Sequence, residues 1–343
     1  MRYSKFLFSK MVGGERLACD RLIRGCAFCM FFLAVPSFAQ DTVANYPNKL
    51  IRVIVPAAAG GGADIVARIF GQPLGKGLGQ NVLVDNRPGA ANIIGTELVA
   101  KAPADGYTLL LGTTGPLANN PLLYTKLPYD SVRDFAPISN VANSAFVLVV
   151  HPSVMAKSLN ELIALAKAKP GELSFASWGK GSSTHLATLL LTSTTHIQLI
   201  HVPYKGSGNA MPDMLAGNVQ MAFDSLLSSV PHIQSARLRP LGVSAPKRSA
   251  VLPEVPTIAS LGLEDFEAGS WYGFLAPAKT PNPIIQKLNA EILKAIKSPE
   301  VLDRLASLGS DPIGSTPSQF SEQIQKDLIR WGKVVKGSDI QPE

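Results

Sequence analysis

Two loops rich in glycine and hydroxyl residues carry the groups best suited to hold a ligand. The first is Pro56-Ala-Ala-Ala-Gly60-Gly61-Gly62-Ala63-Asp64, set between an apolar run and a helical pattern. Consecutive glycines let the backbone approach a ligand closely, and the free N–H groups at a helix start carry roughly half a positive charge. A carboxylate or phosphate could sit there; a tight turn with no ligand is the plainer alternative. Asp64 is expected to cap the helix. Neither G-x-x-x-x-G-K-[ST] nor the G-x-G-x-x-G spacing occurs in this loop, which argues against a nucleotide. The second loop, Ser177-Trp178-Gly179-Lys180-Gly181-Ser182-Ser183-Thr184-His185, also precedes a helix. Gly179 and Gly181 free its backbone, while Ser182, Ser183 and Thr184 offer hydroxyls and a cap. Two such helix starts facing each other hold a small anion without any arginine. Trp178 fits equally as an aromatic wall or as packing.

Other side chains suggest chemistry less strongly. Ser182, Ser183, His185 and Asp224 contain the letters of a catalytic triad, but no G-x-S-x-G elbow exists and Ser183 lies too near His185 on one helix cap. No enzyme activity is expected. His151, His185, His196, His201 and His232 show neither H-E-x-x-H nor i, i+4 pairing, so no metal site or cofactor is expected and the histidines read as structural, His185 being the candidate exception. Tyr204 and Lys205 lie in a turn-rich stretch and could offer a hydroxyl or an ammonium to an acidic ligand, although Lys205 reads better as a solvated charge. Asp224 ends a strand pattern, where open α/β sheets place ligand groups. It could accept from a ligand amine or hydroxyl, or cap the next turn.

Alternating strand and helix patterns position these loops. Leu50–Val55, Val82–Val84 and Thr108–Leu111 read as strands, with helices from Ile65 and near Ile94–Lys101 between them, which makes a βαβαβ unit with a parallel sheet. A second set follows: Phe146–Val150, a helix opened by the capping box Ser158-x-x-Glu161 and ended by Pro170-Gly171, then Leu173–Ala176, a helix from about His185, another near Asn209, and strands Val219–Phe223 and Leu241–Val243. Trp271–Leu275 and helices at Pro283–Ile296, Glu300–Leu308 and Ser318–Val335 complete the pattern. Two α/β halves sharing a cleft are expected.

The net charge of +7 on 343 residues suggests a nucleic-acid partner until it is divided by region. Residues 1–39 hold six basic side chains against Glu15 and Asp20, so the rest carries only +3. The three cysteines, Cys19, Cys26 and Cys29, lie there too. This segment reads as a secretory signal: a basic stretch, the apolar run Ala27–Val35, and small residues before a cut after Ala39. Met11 is an alternative start. Such a run is too short to span a bilayer, and a thiol-free remainder suits an oxidising compartment. Neither nucleic acid nor direct membrane insertion is expected.

Several motifs together give a specific resemblance: Val55–Asp64 with Ala67-Arg68, Val84-Asp-Asn-Arg-Pro-Gly89, Pro103–Gly112, Leu127-Pro-Tyr-Asp130 with Asp134-Phe-Ala-Pro137, Gly181–Leu186, His201-Val-Pro-Tyr-Lys-Gly206 and Leu252–Thr257. From about Tyr46 to Val335 the chain resembles the periplasmic solute-binding proteins of tripartite tricarboxylate transporters, the TctC or Bug family. The resemblance implies an α/β type II periplasmic binding protein fold, two Rossmann-like lobes joined by two crossover strands. Residues 44–143 plus 268–343 would form lobe 1 and residues 144–267 lobe 2, with hinges near Asn143–Val147 and Gly269–Phe274. It implies a small organic carboxylate ligand, contacted by Ala58, Gly61 and Asp64 on one side and by Gly179, Ser182, Ser183 and His185 on the other, with Tyr204 and Asp224 accessory. Gly112–Gly115 matches a family loop at the cleft, which adds Thr113 and Thr114, although many members have Asn where this chain has Thr114; Trp178 likewise stands where smaller residues are common. The implied partners are the membrane permease subunits of such a transporter, served by a monomeric receptor. A sensor module that presents its ligand to a membrane kinase is the alternative.

Overall fold

Four of the six residues from Leu50 to Val55 are β-branched, and Ile51–Val55 (β1) is buried on both faces, as a strand covered by helices must be. The computed structural model describes residues 45–264 and 266–336; the export signal expected in residues 1–39 lies outside them. From Pro47 onward the chain is one compact unit. β1 runs parallel to both Val82–Asn86 (β2) and Thr108–Thr113 (β3). The intervening helices are Gly62–Leu78 (α1), which turns Val66, Phe70, Leu74 and Leu78 inward at helical spacing, and Ile93–Ala100 (α2). After β3 come a π-helical turn, Gly115–Asn119, and a short helix, Asn120–Leu123 (α3).

The next strand, Phe135–Val150 (β4), joins the two halves of the molecule. Its first part pairs antiparallel with Gly269–Pro277 (β9), which in turn pairs with β3; residues Phe146–Val150 pair instead with Met221–Ser225 (β7) and Val147–Val150 with Arg239–Val243 (β8). The second half adds Leu159–Ala168 (α4), Ser174–Ser177 (β5), Ser183–Thr195 (α5), Ile200–Pro203 (β6), Ser207–Ala216 (α6) and Leu226–Gln234 (α7), with β5 parallel to β6 and β7. The chain then returns through β9 to the first half, where it forms Asn282–Ile296 (α8), Pro299–Ser307 (α9), Asp311–Pro312 (β10) and Pro317–Lys336 (α10). One sheet results, with strand order β2-β1-β3-β9-β4-β7-β5-β6 and with β8 and β10 also paired to β4. β4 and β9 are the two strands at the junction.

The expected strands and the expected helices from Ile65 onward all form, with ends shifted by a few residues. The capping box is present: the Ser158 hydroxyl accepts from the Glu161 N–H at 3.2 Å, and the Glu161 carboxylate accepts from the Lys157 N–H at 2.8 Å. Three features differ. β4 starts eleven residues before the apolar run Phe146–Val150, because Ser139, Asn140 and Ser144 are polar side chains buried in it. Ser139 and Asn140 are satisfied by the Ser315 segment: the Ser139 hydroxyl donates to the Ser315 carbonyl at 2.8 Å and the Asn140 N–H to the Ser315 hydroxyl at 2.9 Å. β6 and α7 are further elements that the periodicity does not mark. Asp64 lies inside the first turn of α1, whose N-cap position is Gly61.

Each half has its own apolar core. Leu148, Phe175, Phe223 and Leu191 fill one face of the second half, Val147, Val149, Met214 and Ala222 the other, and Ile54, Leu110, Leu275 and Phe320 the first half. A smaller cluster spans the two: Ala118 and Leu123 meet Leu186 of α5 together with Trp331 and Val335 of α10.

On the paired strands β1 and β2, Arg52 and Arg87 both donate to the Asp85 carboxylate, Arg52 Nε at 2.6 Å and Arg87 Nε at 3.2 Å. Burial alone would raise the Asp85 pKa, but the two guanidinium groups outweigh it and hold the pKa below the ordinary carboxylate value. The contribution is therefore complete above about pH 4 and is lost as pH falls through the depressed pKa. Asp85→Asn is expected to lower the melting temperature at pH 7, and the gap from the parent protein is expected to close as pH is taken below about 4. A gap independent of pH in thermal melts would contradict this ion-pair assignment.

Candidate ligand-binding site

Four helices begin at one place. Their N-cap residues, Gly61 of α1, Ser182 of α5, Gly206 of α6 and Ser225 of α7, all line a cavity of about 60 Å³ between the two halves of the sheet. Gly115, which opens the π-helical turn, lines it too. The first N–H groups of each helix have no intrahelical acceptor and carry the positive end of the helix dipole. The lining contains no Lys, Arg or His; its one carboxylate is Asp224. Positive potential at the cavity therefore comes from the backbone.

The Gly60–Gly62 loop is held from both ends. The Asp64 carboxylate, almost fully buried, accepts from the Gly60 N–H at 2.9 Å and from Arg68 Nε at 3.0 Å. Arg68 also donates to the Asn86 side chain at 3.3 Å, and Asn86 Nδ2 donates to the Ala57 carbonyl at 3.0 Å. Asp64 thus fixes the loop and does not line the cavity. Ala58 is a buried turn residue whose carbonyl accepts from the Gly61 N–H at 3.4 Å. A Cβ on Gly62 would crowd the Tyr272 hydroxyl and Ser225 Oγ, so glycine alone brings α1 this close to them.

In the second loop, the Ser182 hydroxyl caps α5 by accepting from the His185 N–H at 3.3 Å. Ser183 lines the cavity, and its oxygen accepts from Asn119 Nδ2 of the first half at 2.9 Å. Gly179 turns beside Ala91 with φ near +108°, and its carbonyl accepts the Ser182 N–H at 3.1 Å. His185 lies beneath the loop: Nδ1 accepts from the Gly181 N–H at 3.0 Å, and its ring stacks on His201 at 4.2 Å, which stacks on Phe175. Burial and the nearby Lys180 hold the His201 pKa below the usual imidazole value, favouring the neutral ring. Trp178 borders the cavity and also packs on the Val147–Ala222 core, so wall and packing coincide.

The remaining candidates divide. Thr113 lines the cavity at the end of β3, whereas Thr114 turns away: its hydroxyl accepts from the Trp271 N–H at 3.3 Å and borders a separate groove of about 270 Å³. Tyr204 donates to the Asp213 carboxylate at 2.7 Å within the second half. Asp224 lies at the cavity, fully buried: Oδ2 accepts from the hydroxyls of Ser207 at 3.0 Å, Ser228 at 2.8 Å and Ser229 at 2.8 Å, and Oδ1 from the Ser225 N–H at 2.7 Å. Burial raises its pKa, and the four hydrogen bonds oppose that rise. Of the twelve side chains and backbone positions expected at the site, Gly61, Thr113, Trp178, Ser182, Ser183 and Asp224 come together at the cavity; Ala58, Asp64, Thr114, Gly179, His185 and Tyr204 lie outside its lining.

Ser207, Ser225 and Tyr272 also line the cavity and were not singled out in the sequence. Serines at Ser225, Ser228 and Ser229, just after the strand-end Asp224, are the signal that marks this cluster. Tyr272 gives no such signal, being a hydroxyl at one end of an apolar strand.

A cavity of this kind between two α/β halves, bridged by crossing strands, defines a type II periplasmic binding protein. The chain belongs to the tripartite tricarboxylate transporter family of receptors, whose family model matches residues 66–340. It is 40% identical over 307 residues to the protein BugT of Bordetella pertussis, covering 89% of this chain and 94% of that one. Among solved structures it is similar to Rpa4515 of R. palustris with adipate, at 34% identity and a TM-score of 0.84, covering 87% of this chain and all of the other. It is also similar to MatC of Rhodopseudomonas palustris with bound malate, at 31% identity and a TM-score of 0.81, covering 84% of this chain and all of the other. The family is one of periplasmic solute-binding proteins, and relatives in it hold small carboxylates. No helix among the described residues is long and apolar enough to cross a membrane, and no group of side chains among them is arranged to hold a metal ion.

The halves meet beside the cavity where Gly206–Gly208 lies against Ala58–Gly60. A Cβ on Gly208 would overlap the Ala59 carbonyl oxygen, a backbone atom that cannot swing aside. Gly208 sits in the first turn of α6, where alanine is helix-compatible. Gly208→Ala is therefore expected to leave folding intact and to hold the halves apart. Overpacking of about 1–3 kcal/mol corresponds to a loss of ligand affinity of about five- to a hundredfold. Calorimetry showing unchanged affinity in a normally folded variant would contradict this contact.

Proposed function

We propose that this chain is an exported receptor that closes on a small organic carboxylate and delivers it to the permease subunits of a tripartite tricarboxylate transporter. One observation carries the reading: four helix N-caps converge on a cavity that has no side-chain cation. A carboxylate there exchanges water for backbone and hydroxyl donors, and these charge-assisted hydrogen bonds strengthen in a closed, dry cleft. We assign the ligand contacts to Gly61, Ser182 and Ser183, with Thr113, Trp178 and Asp224 shaping the rest of the pocket. Asp64, Ala58, Gly179 and His185 hold the loops in place, and Tyr204 and Thr114 support the two halves.

Lobe 1 comprises residues 44–143 and 268–343 and lobe 2 residues 144–267, and ligand binding shifts an open population toward the closed one. The export signal is removed after Ala39, and the receptor works in the periplasm as a monomer. It is not an enzyme and needs no cofactor. Supporting that, the Ser183 oxygen accepts from Asn119 and His185 Nδ1 accepts from a backbone N–H, which is not the arrangement of a nucleophile and its base.

A thermal-shift screen with succinate, malate and adipate tests the reading. At 100 times its dissociation constant a ligand adds about 2.7 kcal/mol of stability. At least one of these acids is expected to raise the melting temperature, and Ser183→Ala is expected to weaken its binding by about three- to tenfold, the worth of one hydrogen bond. Stabilisation by a sugar or a cation but by none of the acids would contradict the proposed function.

A further inference from the structure

The hydroxyl groups at this cavity do not all face it with the same polarity. Around Asp224 every hydroxyl proton has a destination inside the protein. Ser207, Ser228 and Ser229 donate to the Asp224 carboxylate. A second chain runs alongside: the Ser144 hydroxyl donates to the Ala145 carbonyl at 3.2 Å, the Ser225 hydroxyl donates to Ser144 at 3.1 Å, and the Tyr272 hydroxyl donates to Ser225 at 3.1 Å. Because a carbonyl only accepts, the direction of this chain is set from its end. Ser207 and Tyr272, both lining the cavity, are left with lone pairs and no proton to offer.

Ser183 has the opposite polarity. Its oxygen accepts from Asn119, which leaves its own proton for a ligand, beside the first N–H groups of α5, which have no intrahelical acceptor. The cavity thus has a donor region, suited to an anion, and an acceptor region around a buried carboxylate. Asp224 sits at the N-termini of α6 and α7, held by the Ser207 hydroxyl of the one and by the Ser225 N–H and the Ser228 and Ser229 hydroxyls of the other. Those two helix ends therefore have their anion from within the protein, and α1 and α5 are left for the ligand.

Resting on the reading of this cleft as a carboxylate site, we propose that the ligand carries a hydrogen-bond donor, an ammonium or a hydroxyl, in addition to its carboxylate, and that Ser207 and Tyr272 receive that donor. Asp224 is the positioning residue: it turns the Ser207 proton away from the cavity and supplies the negative field. An ammonium is favoured over a hydroxyl, because Asp224 has no cationic neighbour in the lining, and a second carboxylate at the same place is disfavoured. A methyl group there leaves the acceptors unpaired, and sites built to pair with a ligand O–H or N–H discriminate strongly against analogues that lack it.

The test is calorimetric titration of the purified protein with isosteric acids of two lengths. Glycine, glycolate and propanoate form one set, and β-alanine, 3-hydroxypropanoate and butanoate the other, with succinate, malate and adipate alongside. In at least one set the ammonium or hydroxyl compound is expected to bind about tenfold or more tightly than its methyl counterpart, and Ser207→Ala is expected to reduce that preference while sparing the methyl compound. Equal affinities within both sets, a methyl compound preferred, or a donor preference untouched by Ser207→Ala would overturn the proposal while any binding of these acids leaves the carboxylate reading standing. Binding of none of the nine would overturn the carboxylate reading and this proposal with it.

Discussion

The cavity rests on a single electrostatic arrangement: helix starts converge on it, and its lining holds no basic side chain. The start of a helix is a fixed source of positive potential, but one helix start is weak and short-ranged. Several must point to one spot. A parallel arrangement of strands meets the requirement, since each strand is followed by a helix whose N-terminus lies at the same edge of the sheet. β1, β5, β6 and β7 each lead into such a helix, and their four N-caps meet at the cavity. α1 belongs to one half and α5, α6 and α7 to the other, so assembly of the cavity requires the halves to come together.

That geometry accounts for features that are costly in isolation. Ala90, Ala91 and Asn92 all have positive φ, a conformation in which a Cβ is strained. Their loop is where Asn120 Nδ2 reaches the Ala91 carbonyl at 2.9 Å and where Gly179 of the other half packs on Ala91. Asp224 is a second such feature. A fully buried carboxylate with no cation beside it opposes folding unless its oxygens are satisfied, and three serine hydroxyls and one backbone N–H satisfy them. The same hydrogen bonds fix hydroxyl directions, so the groups that satisfy the buried acid also set which way the Ser207 proton points at the cavity.

Much of this was legible in the residues. The β-branched run of β1, the capping box of α4 and the helix-period segments gave the order of the elements, and the two Gly and Ser loops marked helix starts that line the cavity. Less legible were parts whose partners are distant in sequence. The polar start of β4 reads as a loop until Ser315, from the far end of the chain, satisfies Ser139 and Asn140. His185, Tyr204 and Thr114 have the right residue types beside the right loops, but rotamer and register send their side chains to His201, Asp213 and the backbone of β9. Tyr272 lay hidden because an apolar strand gives no sign that one hydroxyl ends in the cleft. Side-chain direction, set by tertiary packing, separates the residues that line the cavity from those that brace it.

The most direct test of a cation-free anion site is a crystal structure of the protein with a bound carboxylate. The account predicts carboxylate oxygens within about 3.2 Å of backbone N–H groups at the start of α1 or α5 and of the Ser183 hydroxyl, with no lysine or arginine nitrogen within about 4 Å. A carboxylate paired instead with Lys180, Lys205 or Arg68 would contradict it.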